Sequence, residues 1–445
     1  MTEQLKNVVE TLYPMNRCLL GEGYDNALKF IDHLFPLEIL EFKSGTELGT
    51  WIVPEDWIVR DAWVKDPEGN KIVDYKKDPL SLVVGSLPFR GKVTLEELRK
   101  HWHYSDEKPD AIPYVFKYYD KDWGVCFAKN KIKTKNEDVL AGIKLDTGEE
   151  YIPEYNDSLK EGEYEVMIDT EYKSGVMKLG VHTIPGKSDR EILLFAHLDH
   201  PFQANDNLSG VACLIDVASK VKSNQTVKII FCPETIGSTA YALTQDLSKV
   251  DFVISVDICG NKAPILLQKA FTDSRIDKIA HLALYQFGES YKKGQFRNTI
   301  GSDEGVFNDP LIGIPGLMLS TWDYPEYHTS EDTPEKIDYE MIEKMSKVIL
   351  KIIEYWDLDF VPKREFKGQL MRSRYGVQTP NKQVNLSWDY FVYKMDGVKY
   401  LSELCCDYGL NYEFVFDIIN KLKKDGKISG TNSSKGKLKK TTKQK

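Results

Sequence analysis

The stretch Phe195–Gly210, FAHLDHPFQANDNLSG, constrains this chain more than any other. Ahead of it, Glu191–Ala196 (EILLFA) is an apolar run of the kind that forms a buried strand. Behind it, Val211–Val221 (VACLIDVASKV) has helical character, with Asn207 or Ser209 available near its start. Two histidines and two carboxylates therefore occupy a strand-to-helix loop, where open α/β sheets bind their ligands. Imidazole and carboxylate are the donors that zinc and similar divalent ions select. His197, Asp199, His200 and Asp206 are thus candidate ligands, or groups that support ligands.

The surroundings of this loop predict an α/β unit. Apolar runs at Leu193–Ala196, Val227–Phe231 and Phe252–Val256 alternate with helix patterns at 207–222, 238–247 and 273–288. Such alternation argues for a mostly parallel sheet flanked by helices. Tyr164, Val166 and Ile168, then Leu179, Val181 and Thr183, alternate with polar residues as further strands of this unit, and a helix near Asp338–Trp356 closes it. The N-terminus contributes helical spacing at Leu5, Val8, Val9 and Leu12, a second helix capped by Asp25, and a strand at Leu37–Phe42. From Thr50 to about Phe127 the chain is rich in Trp, Tyr, Val and Pro, with one short helix near Thr94–Lys100, and reads as a mostly β insertion. Beyond Pro362, Phe391–Met395, Leu401–Cys406, Asn411–Leu422 and Lys427–Ile428 read as three helices and a stub of wing, a winged helix-turn-helix pattern. Tyr412–Leu422 has little basic character before Lys421, so a packing or protein-interaction module is favoured over a DNA reader.

Composition narrows the classes. A chain of 445 residues with 42% hydrophobic and 29% charged residues is soluble and globular, with room for two or three domains. It holds no 18-residue apolar run, and Met1–Tyr13 is polar and helical in pattern, so neither a membrane span nor export is expected. Seven cysteines without CxxC pairing argue against a disulfide framework and for a reducing, cytoplasmic setting. The net charge of −9 hides an asymmetry: Thr431–Lys445 holds six lysines and no acid, leaving −15 for the rest. That tail is expected to be disordered, and the acidic body makes nucleic acid a poor partner.

On four motifs, the chain resembles known metallohydrolases. AHLD followed by NDNLSG is similar to zinc aminopeptidases of the co-catalytic type, which carry His-x-Asp after a strand and an Asn-Asp-Asn-x-Ser-Gly loop opening a helix. A bacterial aminopeptidase-like group with a C-terminal winged helix, often found among polysaccharide-biosynthesis genes, is more similar still. Its motifs are matched at His200–Gly210, Pro233–Ser238, Gly301–Glu304 and Pro325–Ser330, in order. The resemblance implies a three-layer α/β/α, mostly parallel sheet of the zinc exopeptidase type. It places the catalytic domain at 1–48 and 130–362, an inserted β-rich domain at 49–129, a winged-helix-like domain at 363–430 and the lysine-rich tail at 431–445.

The same resemblance implies roles. His200, Asp206 and His328 would make a three-ligand zinc site with a fourth position open to water. His197 is the alternative to His200, with Asp199 then orienting its second ring nitrogen. Co-catalytic aminopeptidases carry Glu-Glu where this chain has Pro233-Glu234, so Glu234 is either the general base or a ligand. If it is a ligand, Glu304 in GSDEGVF is the next candidate for the base. Asp257 ends a predicted strand, where these enzymes place a metal-binding Asp; capping a turn before Gly260 is the plainer reading. The missing glutamate and shifted histidine point to one zinc per chain, with two as the alternative. Arg297 is a candidate clamp for a substrate carboxylate, and His182 a structural strand residue.

The function expected is a zinc-dependent hydrolase of a peptide or related amide bond, acting on a peptide or small amide. Its protein partner, if it has one, is a second copy of the chain. The alternatives are an amide or acyl hydrolase on a modified sugar in polysaccharide biosynthesis, and a non-catalytic metal-binding scaffold.

Overall fold

In the computed structural model, residues 2–129, 159–288, 291–377 and 382–431 are described. The amphipathic N-terminal helices are α1 (Thr2–Leu12) and α2 (Glu22–Leu34), followed by β1 (Glu38–Lys43) and the short pair β2 (Glu47–Leu48) and β3 (Trp51–Ile52). Next come β4 (Asp56–Lys65), β5 (Lys71–Asp74), β6 (Phe89–Thr94), α3 (Leu95–Lys100), β7 (Trp102–His103) and β8 (Val125–Cys126). Thr94 caps α3, its hydroxyl accepting from the Glu97 N–H at 3.2 Å. The chain continues through β9 (Glu163–Lys173), β10 (Val176–Ile184), β11 (Glu191–His197), α4 (Gly210–Lys220), β12 (Thr226–Cys232), α5 (Ile236–Thr244) and β13 (Val250–Val256). Then follow β14 (Ile265–Gln268), α6 (Arg275–Gln286), β15 (Lys292–Gly294), α7 (Glu304–Phe307), β16 (Gly316–Thr321) and α8 (Tyr339–Leu358). Last are β17 (Val361–Arg364), α9 (Lys382–Tyr393), α10 (Leu401–Tyr408), α11 (Tyr412–Lys424) and β18 (Ile428–Thr431).

Eight strands form one sheet in the order β1-β10-β12-β11-β13-β16-β14-β15. Its centre, β12-β11-β13-β16, is parallel, whereas β1–β10, β10–β12 and β14–β16 are antiparallel. The sheet is therefore mixed and not mostly parallel. One reason is local: only six residues, 185–190, separate β10 from β11 of the same sheet, too few for the crossover that a parallel arrangement needs. α1, α2, α4, α6 and α8 bury their apolar residues in one cluster on one face, while α5 and α7 pack into a second cluster on the other. Because β11 lies between β12 and β13, the chain leaves it by α4 in one direction and returns past it by α5. The carboxyl end of β11 is thus a topological switch point, where two loops diverge and leave a crevice.

A separate four-stranded sheet, β5-β4-β9-β6, has its own buried cluster around Trp57, Val64, Val93, Tyr164 and Ile168. The alternation at Tyr164, Val166 and Ile168 correctly predicts a strand, but β9 joins this small sheet and not the large one. A two-residue period fixes a strand and its buried face, not its partner. The small sheet thus extends past residue 129 in the chain. The C-terminal helices occur in the expected order, with β17 paired to β18. Their buried residues, among them Trp388, Leu404 and Ile419, are continuous with the cluster under α6 and α8. Of the lysine-rich tail, residues 432–445 lie outside the described residues. All seven cysteines are unpaired, and among the described residues no helix is long and apolar enough to cross a membrane.

Candidate functional site

The apolar run of β11 ends at His197, which sits opposite Cys232 of β12 at the carboxyl edge of the sheet. The loop that follows cannot run free, because Arg17, fully buried, gathers its carbonyls. Its guanidinium donates to Leu198 O at 2.9 Å, His200 O at 2.8 Å and Gln203 O at 3.1 Å. Burial pushes Arg17 down to about 10, against the pull of Asp199. Nothing in the pattern around Arg17 marks it in the sequence; only the packing does. Further on, the Asp332 carboxylate accepts from the Asn205 N–H at 2.7 Å and the Asp206 N–H at 3.1 Å, fixing the turn before α4. Asn207 completes it: its Oδ1 accepts from the N–H groups of Gly210 and Ile258, each at 3.1 Å.

These restraints bring three imidazoles onto one carboxylate. His197 Nε2 lies 2.8 Å and His200 Nδ1 3.2 Å from Asp206 Oδ1, while His328 Nε2 lies 2.9 Å from Asp206 Oδ2. Asp257 Oδ1 is 3.9 Å from His197 Nε2, and Glu234 Oε2 is 3.6 Å from His200 Nε2. His197, His200 and Asp206 form one group whose donor atoms lie within 4.8 Å of one another, and His197, Glu234 and Asp257 form another. His197 and His200 are thus not alternatives: the fold places both at Asp206. His328, some way down the chain, joins them through the loop after β16. Asp257, which the sequence leaves between ligand and turn cap, faces the cluster.

The electrostatics follow from burying acids and imidazoles together. Burial opposes protonation of His197 and His200, but the carboxylates outweigh it. Asp257, Glu234 and Asp206 hold His197 well above its usual value, and Asp206 and Asp199 raise His200 to about 9. Burial would raise Asp206, yet the three imidazoles hold it well below the carboxylate range. Asp257 goes the other way, raised by burial and by Asp206 and Glu234 against the pull of His197. One buried atom facing this centre, Asp257 Oδ1, has no hydrogen-bond partner among the described residues. Four residues around it, His200, Thr235, Ile258 and His328, take left-handed backbone at φ 67, 60, 48 and 51. Such conformations cost roughly 1–3 kcal/mol each and collect at functional sites.

The donor set fits zinc. Imidazole nitrogens and carboxylate oxygens are its usual partners, and a divalent cation would neutralise a concentration of buried acid that is otherwise unfavourable. Glu234 and His328 form the open side, with side chains 22% and 21% exposed against 4% or less for His197, His200 and Asp206.

Two expectations are corrected. Asp199 does not orient His197: its Oδ1 accepts from the Glu234 N–H at 2.9 Å, and the second ring nitrogen of His197 faces Asn207 Nδ2 at 3.4 Å. The chain turns toward Arg17 after β11 and carries Asp199 with it. Glu304 does not reach the cluster: its carboxylate is enclosed, accepting from the Ser302 N–H at 3.1 Å and Gln268 Nε2 at 3.3 Å. Its neighbour Asp303 does the work at this end, accepting from the Thr235 N–H at 2.9 Å and the Ser238 hydroxyl at 2.6 Å. The Gly-Ser-Asp-Glu motif thus meets the turn after β12 through Asp303 and not through Glu304. Arg297 lies over Gly301 and Gly305, where any added Cβ would strike its guanidinium. His182 bonds Pro36 O at 3.0 Å, away from the site.

Comparison with known proteins places this geometry in context. Residues 6–359 match the family described as "Domain of unknown function (DUF4910)". A Clostridium acetobutylicum protein, named for polysaccharide biosynthesis and an aminopeptidase-like domain, is 33% identical over 358 residues, 79% of this chain and 77% of its own. A crystal structure from C. acetobutylicum, described as that of a candidate peptidase, superposes with a TM-score of 0.79 at 28% identity, covering 97% of this chain and 96% of the other. The zinc aminopeptidase of Bacillus subtilis shares the fold at a TM-score of 0.56 and 14% identity, over 80% of this chain and 93% of its own.

Proposed function

The chain belongs to the DUF4910 family, and on that premise and the geometry of the cluster we propose that it is a zinc-dependent hydrolase of peptide or related amide bonds. The observation that carries this reading is the convergence of His197, His200 and His328 on the two oxygens of Asp206. With Asp257, the residues that would hold metal number five, above the four donors that a single tetrahedral zinc accepts, which favours two zinc ions per chain over the one expected from sequence. When bound, zinc would supply a Lewis acid that polarises the scissile carbonyl and acidifies a water.

The rest of the chemistry belongs to the chain. Glu234 is the general base: it stands on the open side, within reach of the cluster, and takes a proton from the attacking water and returns it to the leaving amine. Its backbone is held by Asp199, and the following residue, Thr235, by Asp303, so the base is fixed from both sides. Asp206, His197, His200, His328 and Asp257 hold the metal. Tyr327, stacked on His328 at 3.8 Å between ring centroids, orients that imidazole. We read residues 363–430 as a winged-helix-type packing module, since Glu413 at the start of α11 bonds Lys351, Tyr355 and Gln286 of the main unit. A cytoplasmic setting suits the seven free thiols.

The test is zinc content per chain together with hydrolysis of aminoacyl amides, dipeptides and N-acyl amino sugars. We expect zinc in the protein as purified, its loss in His200→Ala and His328→Ala, and cleavage within the amide panel. Glu234→Gln should keep the zinc and lose roughly 100- to 10,000-fold in kcat. A wild-type protein that binds no zinc overturns the reading; cleavage confined to the acyl sugars moves it to the sugar substrate suggested by the relative's name.

A further inference from the structure

Asn205 and Asp332, whose contact fixes the turn before α4, also line a second cavity, an open basin of about 990 Å³. None of the donors of the histidine–carboxylate cluster lines it. Its carboxylates are Asp323, Glu326, Asp332, Glu335, Asp338 and Glu340, set against two lysines, Lys262 and Lys336. Three of these acids are already engaged. Asp332 accepts from the N–H groups of Asn205 and Asp206, Asp338 caps α8 by accepting from the Met341 N–H at 3.1 Å, and Glu326 pairs with Lys336 at 3.4 Å. Asp323, Glu335 and Glu340 are exposed and have no ion pair among the described residues. Two further features say what such a basin accepts. Among the described residues, no three of its carboxylates bring oxygens within 4.8 Å of one another. Their charge is therefore spread too widely for one metal ion and matches cations spaced along a chain. At the floor, Asn205 is 1% exposed; its Oδ1 accepts from the Gly260 N–H at 2.8 Å, and its Nδ2 has no partner among the described residues. A buried N–H left unpaired is costly, and an incoming acceptor recovers that cost.

We propose that this basin binds an extended lysine-rich peptide, with ammonium groups at Asp323, Glu335 and Glu340 and a backbone carbonyl at Asn205 Nδ2. Ammonium groups only donate, so a simple polyamine meets the acids and leaves Asn205 unanswered. A lysine-rich peptide brings ammoniums and carbonyl oxygens together. An acidic peptide would be repelled. One exposed ion pair contributes little, so the three acids act as a set, along a segment that holds several lysines. The chain itself contains a segment of this composition: residues 432–445 hold six lysines and no acid. Thr431 pairs with Val361, just past the end of α8, and Tyr339 and Glu340 at the start of that helix line the basin. α8, of 20 residues, is about 30 Å long, and an extended segment the length of 432–445 spans up to roughly 50 Å. Binding here depends neither on zinc nor on turnover.

The experiment is fluorescence anisotropy of a labelled synthetic peptide with the sequence of residues 432–445. It is titrated with the full chain, and with a full-length tail variant carrying Lys435→Gln, Lys437→Gln, Lys439→Gln, Lys440→Gln, Lys443→Gln and Lys445→Gln. The tail variant is then combined with Asp323→Asn, Glu335→Gln and Glu340→Gln in the basin. As a control it is combined with Glu163→Gln, Glu165→Gln and Glu171→Gln on the small sheet, and melting temperature checks the folding of each protein. We expect the tail variant to bind the peptide, roughly tenfold or more weaker at high salt than at low. The basin substitutions should weaken binding roughly tenfold or more, and the control set should leave it unchanged. Spermine should compete roughly tenfold or more less well than the unlabelled peptide. If the native chain binds the probe more weakly than the tail variant does, its own lysines occupy the basin. If the two bind alike, the occupant comes from another chain, and the basin stands in either case. No binding by the tail variant, equal losses from the basin and control sets, or spermine competing as well as the peptide overturns the proposal.

Discussion

Two buried polar clusters in this molecule are built from similar groups and end differently. At the junction of the C-terminal helices, Asp359 accepts from the Ser402 N–H at 3.0 Å and its hydroxyl at 2.7 Å, with Arg275 3.9 Å away. Arg275 itself is sandwiched between the rings of Trp356 and Tyr400, at 3.4 and 4.2 Å. The Asp359 oxygens each have a partner. At the carboxyl end of β11, by contrast, acids crowd together, Asp257 keeps an unpartnered buried oxygen, and the backbone is left-handed at four residues around it. A satisfied cluster fastens parts of a fold together; one left incomplete at some cost in stability is waiting for something to bind.

The contrast predicts opposite responses to mutation. The largest effect should come from Asp206→Asn, which removes the charge that three imidazoles face. Activity on any amide the wild type cleaves should fall roughly a thousandfold or more, with loss of zinc, while the melting temperature of zinc-free protein should hold or rise. A large drop in zinc-free stability would make the cluster structural and erase the comparison.

Glu304 gives the next effect, of about 3 kcal/mol. Burial raises its carboxyl from the ordinary 4.5 to about 7, with Arg297 pulling down and Asp303 pushing up. Because the folded value is the higher one, its contribution is fully present below about pH 4.5 and is lost as pH rises through 7. The span corresponds to about 3 kcal/mol. Denaturant titrations of wild type and Glu304→Gln from pH 4 to 8 should show the variant gaining relative stability with rising pH; a constant difference would refute the assignment.

Asp359→Ala should cost about 2–3 kcal/mol, the value of hydrogen bonds to a buried carboxyl, and leave kcat/KM unchanged. If activity falls as well, the C-terminal helices feed into the site and are more than a buttress. The smallest effect expected is for Asp303→Asn. The Asn side-chain oxygen can still accept from Thr235, but the charge is gone, so kcat should drop roughly tenfold with KM and zinc content kept. A loss of zinc instead would place Asp303 among the groups that hold the metal.

Much of the fold was legible in the chain because it is local. The apolar runs at β11, β12 and β13, the helices near Thr94 and Asp338, and the helical spacing of α1 all act within a few residues, whereas Asp25, expected to cap α2, lies inside its first turn. The same holds for the site's central loop, where His197, His200 and Asp206 lie within ten residues of one another. Less local facts were harder to read. The partner of β9 could not be read from its alternation, nor the antiparallel flanks of the sheet from the runs that form it.

What the sequence by itself determined is the donor chemistry: imidazoles and carboxylates on a strand-to-helix loop, with Glu234 and His328 marked by further motifs. What only the tertiary structure decided is how these groups meet. It brought both His197 and His200 to Asp206, turned Asp199 away, and buried Glu304 while turning Asp303 onto the Thr235 N–H and the Ser238 hydroxyl. It recruited Arg17 from the N-terminus and laid Tyr114–Tyr118 from the insertion along the cluster. The reason is physical. Donor identity resides in a side chain, but a shared centre requires distances of about 3 Å between groups far apart in the chain, and only long-range packing and the buried hydrogen bonds of Arg17 and Asp332 fix those.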